Sequence, residues 1–425
     1  MRGAVWVGVM LLGGCARTVS ADAPAACEEA PALRPLRPLA SERVSSPTPT
    51  FRWRASPTLR DLTLTHCVDR ACTLGATEVP VTGDRWTPPT NLPPGPRFWS
   101  LSARDARGGL VRSAMRAVVI PPTTTAAACL QTLADFDGDG FAEQVTATAA
   151  GVRVRYGGGR ADSVIPATEA RPASRSPCAP GLQVASTALV TAGDLDGDGY
   201  IDAVLQERRV ETVCPSLDPV YVRRYAVFVG GPGGLREGAV TLPDDRAENV
   251  WVSSRVDPVG DLDDDGYADL ARSRTSELLG RCAPDFGTTV LFGGAGACLT
   301  PSASRISSPG GATAVCDVDG DGVEELGARD ADAVFALYTA TDRRLRPLGL
   351  PARCGDAELH FYDRCIPGVE RPEADLRPLG DLDGDGLGDV ESLLFDRPKA
   401  TGPRGAVTFF GAPGGFRADR CVLRP

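Results

Sequence analysis

One acidic pattern recurs five times in this 425-residue chain: DFDGDGFAE at 135–143, DLDGDGYID at 194–202, DLDDDGYAD at 261–269, DVDGDGVEE at 317–325 and DLDGDGLGD at 381–389. Successive copies start 59, 67, 56 and 64 residues apart, so each belongs to a structural unit of about 60 residues. Every copy carries acids at positions 1, 3, 5 and 9, Gly at 6, and at 7 an apolar or aromatic residue whose backbone carbonyl can join a ring of oxygens. Carboxylates about 4 Å apart repel by roughly 4 kcal/mol per pair at an effective dielectric near 20, so four of them close into one loop only around a cation. Hard oxygen donors at this density specify calcium. The five windows hold 22 of the 55 acidic residues, and five Ca²⁺ would supply +10 against the formal charge of −10. Position 12 of each loop, where an EF-hand needs Glu, is Thr146, Leu205, Arg272, Ala328 or Ser392, so no copy is an EF-hand. A solvated turn rich in Asp suffices for one copy but not for five in register.

Short β-type runs follow the acidic turns, several ending in glycines: VRVRYGGG at 152–159, YAVFVGGPGGL at 225–235, TVLFGGAGA at 289–297 and VTFFGAPGGF at 407–416. The order strand, acidic turn, strand, turn, strand describes one antiparallel blade. Over residues 122–425 the chain resembles the FG-GAP repeats of integrin α-chain heads and bacterial VCBS-like proteins, which form β-propellers with calcium between the first two strands of a blade. That resemblance implies metal ligands at Asp135, Asp137, Asp139 and Glu143; Asp194, Asp196, Asp198 and Asp202; Asp261, Asp263, Asp265 and Asp269; Asp317, Asp319, Asp321 and Glu325; and Asp381, Asp383, Asp385 and Asp389. The carbonyls of Phe141, Tyr200, Tyr267, Val323 and Leu387 would complete them. Three departures stand out: Glu at position 9 in copies one and four, AVFALYTATDRRL at 333–345 in place of a Phe-Gly-Gly strand, and room for about five blades where integrin-like heads have seven. The expected ring closes by pairing strands near Cys129 with strands near Cys421.

Residues 39–121 read differently, as alternating runs such as TFRWRA at 50–55, LTLTHC at 62–67 and RFWSLSARD at 97–105, separated by Pro and Gly. This is the pattern of a small antiparallel sandwich. A Pro-rich start, Trp53 on an early strand, and Leu92-Pro93-Pro94-Gly95 ahead of an aromatic strand resemble a fibronectin type III or related Ig-like domain. Trp53, Trp86 and Trp99 read as core plugs rather than a sugar-stacking platform, and His66 as a strand-end residue.

The first 14 residues contain Arg2 and an apolar run from Gly3 to Leu12, too short to span a bilayer. Leu12-Gly13-Gly14-Cys15 resembles the lipobox of bacterial lipoproteins, which implies cleavage before Cys15 and lipidation of that residue. Several acyl chains make a stable anchor where one does not, and Ala16 after the cysteine fits a protein passed to an outer membrane. Residues 15–38, rich in Ala, Pro and Glu, read as a flexible tether. Without Cys15, 12 cysteines remain, an even set that on an exported chain reads as disulfides. Proximity suggests Cys67 with Cys72, Cys354 with Cys365 and Cys282 with Cys298.

Composition narrows the function. Forty-eight Gly and 36 Pro exclude an all-α chain, and the acidic excess sets nucleic-acid binding aside. Lys399 is the single lysine, no G-K-[ST] occurs, and His66 and His360 are the only histidines. Neither H-E-x-x-H nor G-x-S-x-G is present, so no catalytic motif stands out. The expectation is an all-β, lipid-anchored envelope protein, calcium-stabilised and non-enzymatic, facing the outer membrane or cell surface and binding or adhering to a protein or glycan through its loops. An architectural envelope component is the alternative. A propeller hydrolase or lyase using Glu207, Glu211, Glu358 or Asp363 ranks third, since those acids read as solvated surface charges and His360 as part of a bridged loop.

Overall fold

The computed structural model describes residues 31–124, 132–148, 150–157, 159–166, 181–212, 219–248, 250–278, 281–282, 287–306, 312–329, 335–348, 376–383, 385, 387–394 and 405–424. Among these the protein is all-β, its sole helical element being a 3-10 turn at Ala295–Ala297. Frequent Gly and Pro disfavour helices, while period-two alternation drives short strands.

The N-terminal module has two sheets. One runs Leu33–Arg37, Phe51–Ala55, Arg85–Trp86; the other runs Glu42–Arg43, Arg116–Ile120, Gly95–Arg104, Arg60–Cys67, Thr77–Pro80, with Leu110–Arg112 beside Gly95–Arg104. They enclose one core of Leu33, Phe51, Trp53, Leu64, Trp99, Leu101 and Val118. Trp53 and Trp99 are buried, Phe51 meets Trp99 edge-on at 4.9 Å, and the Trp53 indole donates to the Gly83 carbonyl. Trp86 is half-buried, lying 5.6 Å from Phe51 with His66 stacked on it. All three tryptophans therefore serve packing.

Residues 33–37 correct the sequence reading. They fall in the stretch expected as tether, yet they form a strand antiparallel to Phe51–Ala55 with all five residues buried. Leu33 fills the core, whereas Arg34 and Arg37 are buried against groups more than 200 residues away. No local pattern announces such burial. Residues 15–30, with Cys15, lie outside the described residues.

Five further sheets follow in chain order, all with antiparallel neighbours. The first has Gln144–Thr148, Gly151–Arg155 and Ser163–Pro166; the second Gly181–Gly193, Asp202–Thr212, Pro219–Val229 and Arg236–Glu248. The third has Val250–Gly260, Asp269–Leu278, Gly287–Phe292 and Thr300–Pro301, with Arg281–Cys282 against its second strand. The fourth has Ala312–Val315, Glu325–Arg329, Phe335–Thr341 and Arg344–Leu348; the fifth has Leu376–Gly380, Asp389–Leu394, Gly405–Ala412 and Gly415–Arg424. In the last four sheets each acidic loop joins the first strand to the second.

Consecutive sheets share apolar cores, and position 2 of the acidic loop plugs each one. Phe136, Leu195, Leu262 and Val318 are fully buried between their own sheet and the next. Leu382, at position 2 of the fifth loop, is 49% exposed, because no described sheet follows it. The expected closure partner around Cys129 lies outside the described residues, and Cys421 sits in Gly415–Arg424 opposite Phe409.

Candidate metal centres

Each loop is folded by its own carboxylates. Position 9 accepts the amide of position 2 in all five copies: Phe136 to Glu143 at 2.5 Å, Leu195 to Asp202 at 2.7 Å, Leu262 to Asp269 at 2.8 Å, Val318 to Glu325 at 2.6 Å and Leu382 to Asp389 at 2.7 Å. The Oδ2 of position 1 accepts the amide of the position-6 glycine in the first four, at 3.1, 3.1, 2.8 and 2.9 Å. Those glycines have φ of 91°, 88°, 88° and 88°, which a side chain would resist. Position 5 accepts the amide of position 7, from Phe141, Tyr200, Tyr267, Val323 and Leu387 in turn.

These bonds leave carboxylate oxygens converging. One oxygen from each of Asp135, Asp137, Asp139 and Glu143 lies within 4.8 Å of the others, and the same holds for Asp317, Asp319, Asp321 and Glu325. Three acids gather in each remaining loop: Asp194, Asp196 and Asp202; Asp261, Asp263 and Asp265; Asp381, Asp383 and Asp385. Asp198, Asp269 and Asp389 stand outside those groups; both oxygens of Asp269 and Asp389 accept amides, from Leu262 and Gly293 and from Leu382 and Gly411. Buried Oδ1 of Asp135, Asp194 and Asp263 and Oε1 of Glu143 and Glu325 accept no hydrogen bond. Ionised carboxylates only accept, and leaving such atoms buried is costly, so the donor sets fit a hard cation.

Burial raises these acids. It pushes Asp135 and Asp194 up to about 6, Asp198 and Asp263 to about 7, Glu143 and Asp261 to about 8 and Glu325 to about 9, with neighbouring carboxylates adding to the rise. Burial and neighbouring carboxylates also push Asp202 and Asp269 well above the usual carboxylate range. A divalent cation would reverse each shift by favouring the charged form.

The loops come in two kinds. In copies two, three and five a glycine precedes the loop in the left-handed region: Gly193, Gly260 and Gly380, with φ of 84°, 76° and 74°. The ladder slips there, and the glycine pairs with the position-9 aspartate. The spare oxygen of that aspartate accepts the amide of a glycine at the end of the third strand, Gly230, Gly293 or Gly411, at 2.9, 2.9 and 3.0 Å. Copies one and four have Ala134 and Cys316 at the preceding position and Glu at 9. The longer side chain leaves Oε1 among the loop acids instead of on the neighbouring strand. The glycine that precedes the loop stands at a fixed offset in the sequence and was the readable signal of this division.

Neighbouring loops interlock. Loop-one Phe136 O accepts from Gly231 of the second sheet at 3.0 Å, loop-two Leu195 O from Gly294 of the third at 3.0 Å, and loop-four Val318 O from Ala412 of the fifth at 3.0 Å. A Cβ on Gly138 would stand 2.6 Å from the Tyr200 ring, and one on Gly197 2.6 Å from the Tyr267 ring, so position 4 of a loop must be glycine where position 7 of the next is a tyrosine. Between loops three and four the facing residue is the smaller Val323, and position 4 is Asp264, at φ 51°. Asp264 pairs with Arg52 of the N-terminal module at 2.7 Å. At this seam Arg37 donates to Asp261 O at 3.3 Å and pairs with Glu324 at 2.5 Å. Sequence reasoning places the module on a tether and misses this contact.

Of the acids considered for catalysis, Glu207 is buried and paired with Arg209, which corrects its reading as a surface charge. Glu211 lies in the strand Asp202–Thr212; Glu358, His360 and Asp363 lie outside the described residues. Cys67 and Cys72 form a disulfide, and Cys298 and Cys316 are also disulfide-bonded. No protein-family model matches the sequence, and no curated protein matches it.

Proposed function

We propose that this chain is a calcium-stabilised binding or adhesion protein of the bacterial cell envelope, anchored through lipidated Cys15. In this reading residues 122–425 form an FG-GAP-like β-propeller of about five blades, with one Ca²⁺ in each acidic loop, and the N-terminal module is an Ig or fibronectin III-like sandwich. The observation that carries the ion reading is the set of buried, unpartnered carboxylate oxygens gathered loop by loop. Calcium would supply the positive charge that lets these acids sit together ionised, and in exchange the loops lock successive sheets in place.

Recognition falls to loops and clefts. Over the third loop lies a cleft of about 640 Å³ lined by Arg34, Arg54, Asp263, Asp264 and Arg343, a mixture of donors and acceptors suited to hydroxyl or carboxylate groups of a glycan or protein.

The test is thermal unfolding of the full chain with EDTA and across a calcium titration, with bound ions counted by native mass spectrometry. Extracellular sites bind with Kd of about 10⁻⁴ to 10⁻³ M, and at tenfold excess each adds about 1.4 kcal/mol, roughly 7 for five. A large calcium-dependent rise with about five ions is expected; no ion and no shift would overturn the proposal.

A further inference from the structure

The N-terminal module touches four of the five acidic loops, and at position 1 of loops one and two it meets one carboxylate oxygen and leaves the other open. Ser41 Oγ donates to Asp135 Oδ2 at 2.8 Å, while Asp135 Oδ1 is buried and unpartnered. Arg116, fully buried, places Nε 3.7 Å from Asp194 Oδ2, while Asp194 Oδ1 is likewise unpartnered. The same guanidinium donates to Leu36 O within the module and to Gly266 O of the third loop, so one side chain spans two loops. Arg70 donates to Gly199 O at 3.1 Å and lies over the Tyr200 ring. Arg37 and Arg52 hold the seam between loops three and four.

We propose that the N-terminal module is an ion-dependent clasp: it closes over loops one to four by gripping outer carboxylate oxygens and loop carbonyls, so that calcium binding and closure strengthen one another. This rests on the reading that the loops hold calcium. The division of labour at Asp135 and Asp194 makes the two events compatible, since module and ion use different oxygens of one group. Charge permits both at once. The third window holds five carboxylates, one Ca²⁺ leaves a net charge of −3, and Arg37, Arg52 and Arg116 meet it there. Geometry couples them, because Asp261 O, Gly199 O and Gly266 O are presented together only when each loop is closed on itself. In an ion-free loop the carboxylates that remain ionised push apart, and the loop withdraws that surface. Linkage then requires reciprocity: whatever calcium adds to closure, closure adds to calcium affinity. None of these contacts reaches the fifth loop, which serves as an internal reference.

The experiment uses the full chain with calcium alone as the probe. Hydrogen exchange over residues 33–43 and 113–120 is followed with calcium and with EDTA, beside native mass spectrometry. Exchange in both segments should accelerate when calcium is removed. Ser41→Ala and Arg52→Ala, each removing a single contact, should weaken calcium at the covered loops about five- to tenfold, the lower part of the usual coupling range, and leave at least one site unchanged. Arg116→Met is the stronger variant and the more disruptive one, which is why the two milder changes carry the test. About five ions bound with module exchange indifferent to them would overturn the clasp and leave the ion reading standing. No ions bound would remove both.

Discussion

Calcium loading at pH 7 should expel protons, and their number follows from the site. Without an ion, burial holds Glu143 and Asp261 at about 8 and Glu325 at about 9, so each is about nine-tenths or more protonated at neutral pH. Asp198 and Asp263, at about 7, contribute about half a proton each. Binding needs all of them ionised, and Asp202 and Asp269, raised well above the usual carboxylate range, add to the count, so full loading should release at least about three to four protons. Affinity should rise about tenfold per pH unit up to about pH 8 at loop one and about pH 9 at loop four before levelling, and at least as steeply at loop three, where Asp261, Asp263 and Asp269 are all raised. The ion-free protein should show the opposite trend in stability. Its folded-state carboxylate values lie above the unfolded ones, so the proton-linked stability is complete below about pH 4 and is lost as pH climbs to about 9. Titration calorimetry in two buffers of different ionisation heat counts the protons. Calcium binding with fewer than one proton released in total would refute the claim that burial holds these acids protonated.

Two further outcomes test the packing. Gly197→Ala forces a methyl to within 2.6 Å of the Tyr267 ring at φ 76° and should cost about 1 to 3 kcal/mol in chemical denaturation, whereas Asp264→Gly, which restores glycine at the same loop position, should cost far less. Equal losses would mean that the loops do not stack as described. Glu207→Gln leaves the Arg209 charge buried beside a neutral amide and should destabilise by about 3 kcal/mol; a change under 0.5 kcal/mol would place the pair on the surface after all.

The local features of this protein were legible early, because each is decided by residues a few positions apart. The acidic loops close through bonds spanning two to seven positions, such as Tyr200 to Asp198 and Leu195 to Asp202, and the strand after each loop begins at or next to its ninth residue. The inward tryptophans follow from strand alternation and the Cys67–Cys72 bridge from proximity. Less visible was the split between the two kinds of loop. Its signs are single glycines, Gly193 for example, whose meaning appears only once the spare oxygen of Asp202 is seen reaching across the strands.

What the sequence determined alone was an all-β chain with five acidic, metal-type loops on a 60-residue period, since alternation, turn chemistry and carboxylate spacing act over a few residues. What only the tertiary structure decided was where the N-terminal module sits. Arg37 meets Glu324 and Arg116 meets Asp194 across 287 and 78 residues. An arginine bound for a buried ion pair looks, in the sequence, like any arginine on a surface. Its burial becomes favourable only when a folded loop far along the chain presents the opposite charge.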